Sequence, residues 1–476
     1  MAEESPPPAN GRLSELLHRA GWRPETLARR LNTVLASNGS DRRIHDKTPY
    51  RWIRGEVPHG EVPDLVVQIL AGTQGTELTY EQVWNRARTR GPAPLRADHG
   101  CGLPWDSAGL LSLLGEPVPT RRIVLAVTGA AITGPAWACL DHPAPTLASA
   151  ADAAGRVTPP LLTMINGIVT HAQQLDDQQG GAARAFVADQ YSSLARLMKR
   201  ASYDAATGRR LAAALAQLAQ TNGFMAFDAA EDGHAQRWYL LALRAAHAAG
   251  DRALAASILA LMSNQAADRG HPLDALQLAN AAQHAARHAP GAVRSLIATR
   301  NTLAYAAAGD LTGFNHMHDQ AATIRNEPTA EPGPSWAGYI DHVELDAITG
   351  RGLVVLAEHL PRQQTRLLRQ AAHLLHARAY TPHDATPQRS ALRHGAWLSL
   401  AHLAALRQNQ PTSTTDDLDH SITAARSAIT RLPTVSSVRS VRLLHRVATE
   451  VTPVARRSPA ARALLHDLRT ALAPTA

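Results

Sequence analysis

The chain has 476 residues, 45% of them apolar, so it is long enough for more than one domain and a sizeable core. A formal net charge of +8 favours polyanionic partners without specifying a fold, and with lysine only at Lys47 and Lys199 that charge is carried by arginine. The two cysteines, Cys101 and Cys139, exclude a disulfide framework and a four-thiolate zinc site.

Met1 to Asn10 is acidic and proline-rich, with no apolar run. These residues (1–10) predict a disordered terminus without a secretory leader, and a cytoplasmic location is the expectation. Residues 11–90 predict a compact domain of short helices. Leu13, Leu16 and Leu17 give a first amphipathic helix ending near Gly21-Trp22. Pro24 starts a second, with Leu27, Ala28, Leu31, Val34 and Leu35 on one face. A polar loop follows, Asn38 to Asp46, and then Lys47-Thr48-Pro49-Tyr50-Arg51-Trp52-Ile53-Arg54-Gly55. Thr48 is suited to cap this helix, Pro49 to open it and Gly55 to end it in a left-handed conformation. Trp52 and Ile53 are expected to face inward, and Tyr50, Arg51 and Arg54 outward. Pro63 to Leu70 and Tyr80 to Arg86 predict supporting helices.

Charge concentrates between Arg42 and Arg54, where Arg42, Arg43, Lys47, Arg51 and Arg54 stand against one anion, Asp46. A short helix with cations at both ends suits the major groove of double-stranded DNA. Rim arginines meet phosphates there while one or two side chains read base edges. The expected DNA contacts are Arg42, Arg43, Lys47, Thr48, Tyr50, Arg51 and Arg54. The competing expectation is a small helical domain whose arginines face solvent and which binds protein.

Leu13 to Arg86 resembles the Cro/C1-like (XRE-type) helix-turn-helix of actinobacterial regulators. Gly21-Trp22, Leu27-Ala28-Arg29, Asn32, Trp52-Ile53-Arg54-Gly55 and Pro63-Asp64-Leu65 fill that family's pattern. The loop before the recognition helix is longer than the family's compact turn. The resemblance implies a transcriptional regulator, and such regulators place two recognition helices on two half-sites, so a homodimer is expected.

Residues 91–109 predict a linker, opened by Gly91-Pro92-Ala93-Pro94. Ile123 to Leu140 is uncharged and follows Arg121 and Arg122. It is short for a membrane span and is interrupted by Gly129, Gly134 and Pro135, so a buried core helix or loop is expected and no membrane association. From Leu110 onward nearly everything predicts helix: a connecting region over 110–200 and a repeat region over 201–476. Breaks fall at Thr158-Pro159-Pro160, Gly180-Gly181, Gly250-Asp251, Gly309-Asp310, Glu327 to Pro334 and Gln410 to Thr415.

Ala235, Tyr239 and Ala242 share a helix face, and Ala275, Ala279 and Ala282 repeat their spacing on a later helix. Gly313, Met317 and Gln320 give a looser third copy. Small residues recur where two helices must approach, and Gly223 stands ahead of the first copy. The pattern resembles tetratricopeptide repeats, with Ser263 and Asn301 replacing glycine in later copies and a longer spacing than the family's own. The fold class expected is therefore all-α, a helix-turn-helix domain followed by a helical-hairpin solenoid.

Stacked hairpins leave a groove lined by the first helix of each pair, here 211–229, 252–269 and 292–308. Asn222, Asn264 and Asn301 fall on those helices as candidate contacts to a peptide or small-molecule effector, with hairpin bridging as the alternative. The histidine pairs His284/His288, His373/His376 and His316/His318 lack further metal ligands, and Asp176-Asp177 precedes Gly180-Gly181 as a helix end or turn. No phosphate loop, nucleophile elbow or Cys-His signature stands out, so no metal, cofactor or enzymatic activity is expected. A tetratricopeptide-like adaptor that never touches DNA is the alternative to a regulator.

Overall fold

A computed structural model of the chain describes residues 10–37, 42–60, 62–74, 78–85, 95–114, 124–147, 155–327, 333–337, 341–407 and 414–473. Among them the fold is all-α, with helices throughout and one pair of two-residue strands. They divide into two compact units.

The first unit comprises 1–99, 119–126 and 231–233. Its helices are α1 (Gly11–Arg19), α2 (Pro24–Ser37), α3 (Thr48–Ile53), α4 (Val62–Gln74) and α5 (Tyr80–Trp84). The expected apolar faces are buried: Leu13, Leu16 and Leu17 from α1, and Leu27, Ala28, Leu31 and Leu35 from α2. Trp52 meets Trp84 edge-on at 6.0 Å, and the Trp84 indole donates to the Pro63 carbonyl at 3.0 Å. Thr79 and Gln82 form a reciprocal capping box on α5.

Most of the terminus expected to be disordered lies outside the described residues, but Asn10 is 3% exposed. Its side chain accepts from the Leu13 amide at 3.1 Å and donates to the Val83 carbonyl at 2.9 Å, while its own amide donates to the Ile53 carbonyl at 2.7 Å. An uncharged amide with donor and acceptor on one side chain thus caps α1 and ties it to α3 and α5.

Leu95–Arg96 (β1) pairs in parallel with Val124–Leu125 (β2). The sequence predicts a linker at β1 and a buried helix or loop at β2, and the pairing of the two corrects that expectation. Gly91 to Pro94, Arg121, Arg122 and Ile123 lie outside the described residues.

The second unit comprises 100–118, 127–230 and 234–476. It begins with α6 (Ser107–Leu113) and α7 (Ala130–Asp141). The uncharged stretch thus supplies β2 and then most of α7, a twelve-residue helix with Cys139 and Leu140 buried, and no described helix is long and apolar enough to cross a membrane. The longer helices α8 (Pro159–Gln179) and α9 (Arg184–Arg200) lead into six successive helix pairs. These are α10 (Ala205–Asp228) and α11 (Asp232–Ala249), α12 (Arg252–Asp268) and α13 (Pro272–Ala286), α14 (Gly291–Ala307) and α15 (Leu311–Asn326), α16 (His342–His359) and α17 (Gln364–Ala379), α18 (Gln388–Leu406) and α19 (Thr414–Ile429), and α20 (Val438–Ala455) and α21 (Pro459–Ala471). Gly250, Gly270 and Gly309 end helices with positive φ, near +70°, where a side chain would be strained.

The repeat positions do what their size requires. A Cβ on Gly223 would lie 2.6 Å from the Tyr239 ring, so α10 and α11 approach only with glycine there. Ser263 and Asn301 take glycine's place in the next two pairs, and each donates a hydrogen bond to a carbonyl of α13, Ser263 within its own pair and Asn301 back to the preceding one. Ser263 reaches Ala275 at 2.8 Å, and Asn301 reaches Ala279 at 3.0 Å.

The first helices α10, α12, α14, α16, α18 and α20 pack each on the next. The row also closes on itself, because α18 packs against α8 and α10 against α20. The Ser436 amide donates to the Gln179 carbonyl at 2.9 Å, and the Gly181 amide to the Ser436 carbonyl at 3.0 Å. The inner helices therefore surround an interior instead of lining an open trough.

Candidate functional site

On the first unit, the predicted DNA-contacting residues gather around α3. Lys47, Tyr50, Arg51 and Arg54 recur at helical spacing, and all are exposed, as are Arg42 and Arg43, while Thr48 is half-buried. Pro49 and Trp52 anchor the opposite face in the core. Thr48 is not the cap it was expected to be: Lys47 occupies that position without a side-chain bond, and Thr48 is the first helical residue. Gly55 follows the helix with φ of +105°, as its position suggested.

The long loop before α3 is held by Asn32. Its amide donates to the Ile44 carbonyl at 2.8 Å and its oxygen accepts from the Ile44 amide at 2.7 Å. This two-point clamp fixes the loop to α2; residues 38–41 lie outside the described residues. Arg42 donates to the His59 carbonyl at 2.9 Å, and Arg51 is ion-paired with Glu56 at 2.9 Å. The Tyr50 hydroxyl donates to Glu25 at 2.7 Å, which lowers the Glu25 carboxyl and raises the phenol from their ordinary values. The surface is thus a short cationic helix with two carboxylates, Glu25 and Glu56, holding the side chains most able to reach a base.

On the second unit, the closed row of inner helices leaves a cavity of about 100 Å³. It draws Asp176 and Asp177 from α8, Gln220, Thr221 and Phe224 from α10, Leu261 and Asn264 from α12, and Arg300 and Leu303 from α14. From α16 come Glu344, Ile348 and Arg351, from α17 Arg378, and from α18 Arg389, Ser390, Arg393 and His394. All five of these arginines are buried, although arginine is among the side chains least often buried without a partner.

Carboxylates accompany them. Arg389 lies 3.0 Å from Asp176 and 3.0 Å from Asp177, and its guanidinium sits 4.4 Å above the Phe224 ring. Arg393 pairs with the fully buried Asp228 at 2.5 Å. Arg351 pairs with Asp268 and donates to the Asn264 oxygen at 3.1 Å. Arg378 meets Glu344 at 3.0 Å, and His394 faces the same carboxylate at 3.5 Å.

Burial pushes the Asp176 carboxyl up against the pull of Arg389, and Asp177 adds to the rise. Burial alone would raise Glu344 as well, but the hydrogen bond and charge of His394, with Arg378, hold it well below the usual carboxylate range. Burial and the nearby Arg393 push the Arg351 guanidinium down to about 9. Five guanidiniums and three carboxylates stand on the wall, and Asp228 and Asp268 add two more anions paired with Arg393 and Arg351, so the buried charges are largely compensated.

Of the three candidate asparagines, Asn264 alone lines this cavity. Asn222 is fully buried and donates to the Leu218 carbonyl of its own helix at 3.1 Å, and Asn301 makes the bridge to α13. Asp176 and Asp177, read from sequence as a helix end, do end α8 but also form one wall. His402, Asp417 and His420 are the one group of three possible metal ligands found among the described residues, with ligand atoms within 4.8 Å of one another. A 2.9 Å hydrogen bond between His402 and Asp417 accounts for that approach by joining α18 to α19.

Fold and surface together define a class: an all-α protein with an N-terminal cationic helical unit and a helical-repeat unit around a polar cavity. The family model described as the SP15 N-terminal domain matches residues 13–83, so the first unit is similar to that domain over nearly all its helices. No curated protein and no solved structure matches the chain.

Proposed function

We propose that this chain is a DNA-binding transcriptional regulator of the XRE type, acting in the cytoplasm as a homodimer, whose helical-repeat unit receives a small effector. The observation that carries the reading is the exposed row Lys47, Tyr50, Arg51 and Arg54 on α3, backed by buried Pro49 and Trp52. Its geometry suits the major groove. The ends of the row meet phosphates, and Arg51 sits centrally, where a guanidinium can bind a guanine through two hydrogen bonds. Asn32 supports this role by tying the loop that carries Arg42 and Arg43 to α2 at Ile44.

The test is recovery of genomic DNA fragments on the purified full-length protein, followed by mobility shifts on the enriched sequence over a range of salt. A regulator gives a shared sequence in the recovered fragments and an affinity that falls steeply with salt. Recovery of random fragments, or none, favours the protein-binding adaptor.

A further inference from the structure

We propose that the cavity of the helical-repeat unit binds a small zwitterion, an α-amino acid, whose ammonium faces Asp176 and Gln220 and whose carboxylate faces Arg351 and Arg393. This names the chemistry of the effector and rests on reading the solenoid as a receiver, but not on DNA binding.

Unused hydrogen-bonding atoms of both kinds carry the inference. Asp176, Gln220, Arg351, Arg393 and His394 line the cavity and are each more than nine-tenths buried. Each has a polar atom without a partner: Oδ1 of Asp176, Oε1 of Gln220, Nε of Arg351, Nε of Arg393 and Nδ1 of His394. The two Nε atoms are donors and the two oxygens acceptors. Nδ1 of His394 is an acceptor too: burial lowers the histidine pKa, so near neutral pH the imidazole is uncharged, and its Nε2 is turned to Glu344 at 3.5 Å. The oxygens come from α8 and α10, which pack together, and the guanidiniums from α16 and α18, which also pack together. Buried polar atoms left unpaired are costly. An anion would serve the donors and leave the acceptors unserved, and a cation would do the reverse. An ammonium brings three donors and a carboxylate accepts at least two, the kinds and numbers that the wall leaves over.

Charge points the same way. Asp176 and Asp177 are paired with Arg389, Glu344 with Arg378, Asp228 with Arg393, and Asp268 with both Arg351 and Arg439. These charges largely cancel, so a ligand with net charge would add a buried ion without a counterion. The ionic forms are nevertheless disfavoured at two places of opposite sign. Burial, with Asp177 and Asp228, pushes the Asp176 carboxyl up to about 7 against the pull of Arg389, and burial with Arg393 pushes the Arg351 guanidinium down to about 9. A positive group beside the first and a negative group beside the second reverse both effects, which an uncharged polyol does not.

Size narrows the class. At roughly 15 Å³ per water, the space of about 100 Å³ holds on the order of seven waters. That admits an amino acid with a short side chain and not an extended peptide. Leu261, Leu303 and Ile348 give that side chain an apolar wall.

The experiment is calorimetric titration of the full chain, without DNA, with L-alanine, L-serine and L-threonine, and with propionate, ethylammonium and glycerol at matched ionic strength. Propionate and ethylammonium are L-alanine without its ammonium and without its carboxylate. At least one amino acid is expected to bind saturably, one per chain, and about tenfold or more tightly than the three comparison compounds. Gln220→Met keeps the side-chain length, removes an acceptor and is expected to weaken that binding by about tenfold. Arg209→Gln, exposed on α10, is expected to leave it unchanged. Should Gln220→Met fail to fold, Ile348→Phe keeps every charge, narrows the cavity and must also weaken binding. No saturable binding by any of the amino acids overturns the proposal. Equal binding by propionate, ethylammonium or glycerol does so too, as does binding that survives both cavity variants. Amino-acid binding that leaves DNA affinity unchanged upholds the site and overturns the effector reading alone.

Discussion

Arg389 on α18 and Asp176 on α8 meet at 3.0 Å inside the second unit, and the Arg389 Nε also donates to the Asp176 carbonyl at 2.9 Å. One guanidinium thus satisfies a side chain and a helix end from a segment 213 residues away. Removing it leaves the buried Asp176 and the half-buried Asp177 without their cation. Arg389→Leu is expected to destabilise the second unit by about 3–5 kcal/mol, the range for breaking a buried pair from one side. Chemical denaturation of wild type and variant measures it, and a loss below about 1 kcal/mol, typical of exposed pairs, would show that the contact is slack.

Arg51 and Glu56 give a prediction with two signs. Arg51→Ala is expected to weaken specific DNA binding by about 1–3 kcal/mol and to relax preference at one base position. Glu56→Gln should instead strengthen binding by up to about 1 kcal/mol, since it frees Arg51 from an exposed ion pair. Arg43→Ala should weaken binding to all sequences alike and reduce the salt slope. Selection from randomised DNA, run on the three variants, separates these outcomes; an Arg51→Ala protein with unaltered preference refutes the assignment of α3.

Gly223 is the point of closest helix approach in the first repeat pair. A methyl group there would meet the Tyr239 ring at 2.6 Å, and both residues are fully buried between α10 and α11. Gly223→Val is expected to cost about 1–3 kcal/mol through overpacking, in spite of valine's larger apolar surface. Gly223→Val combined with Tyr239→Leu should recover part of it. Melting curves of the single and double variants test the coupling, and additive losses would place the strain elsewhere.

His247 has its Nδ1 3.0 Å from the Cys139 carbonyl and its Nε2 3.3 Å from that of Trp105. Burial lowers its pKa despite those two carbonyls, with His142 and Arg244 adding to the fall. The unfolded chain then takes up a proton at about 6.5, before the folded one does. The stability this neutral imidazole contributes is present above about pH 6.5 and is lost as the pH falls through that value. The stability advantage of wild type over His247→Gln should therefore shrink between about pH 8 and about pH 5. An advantage that grows over that interval would mean that the two carbonyls favour the imidazolium over burial.

Much of the architecture is legible in the amino-acid sequence because it rests on local rules. Leu13, Leu16 and Leu17 mark α1 by spacing alone, and the glycine at 250 or 309 marks a helix end by its permissive backbone. The inner helices expected over 211–229, 252–269 and 292–308 match α10, α12 and α14 to within a turn or two. The cavity follows no local rule. Arg389 and Arg393 are four apart on α18 and look like a solvated helix face until α8 and α10 close over them. Asn222 and Asn301 have the same composition signal as Asn264, and their direction is decided by which helix stands opposite. The β1–β2 pair, two residues in each strand, is too short to show a period.

The closure of α18 on α8 and α10 on α20 has a consequence for how this unit forms. An open repeat array can nucleate at any hairpin and grow by adding neighbours, with each step stabilised locally. Here Ser436 must find Gln179 across more than half the length of the chain before the row can close. The first and last repeats are thereby made interdependent. Non-local contact of this kind slows folding through the entropy of closing the intervening loop. Until α18 meets α8, Asp176 and Arg389 lack each other, so the unit is expected to unfold as a single cooperative body and not as a stack that can be shortened one hairpin at a time.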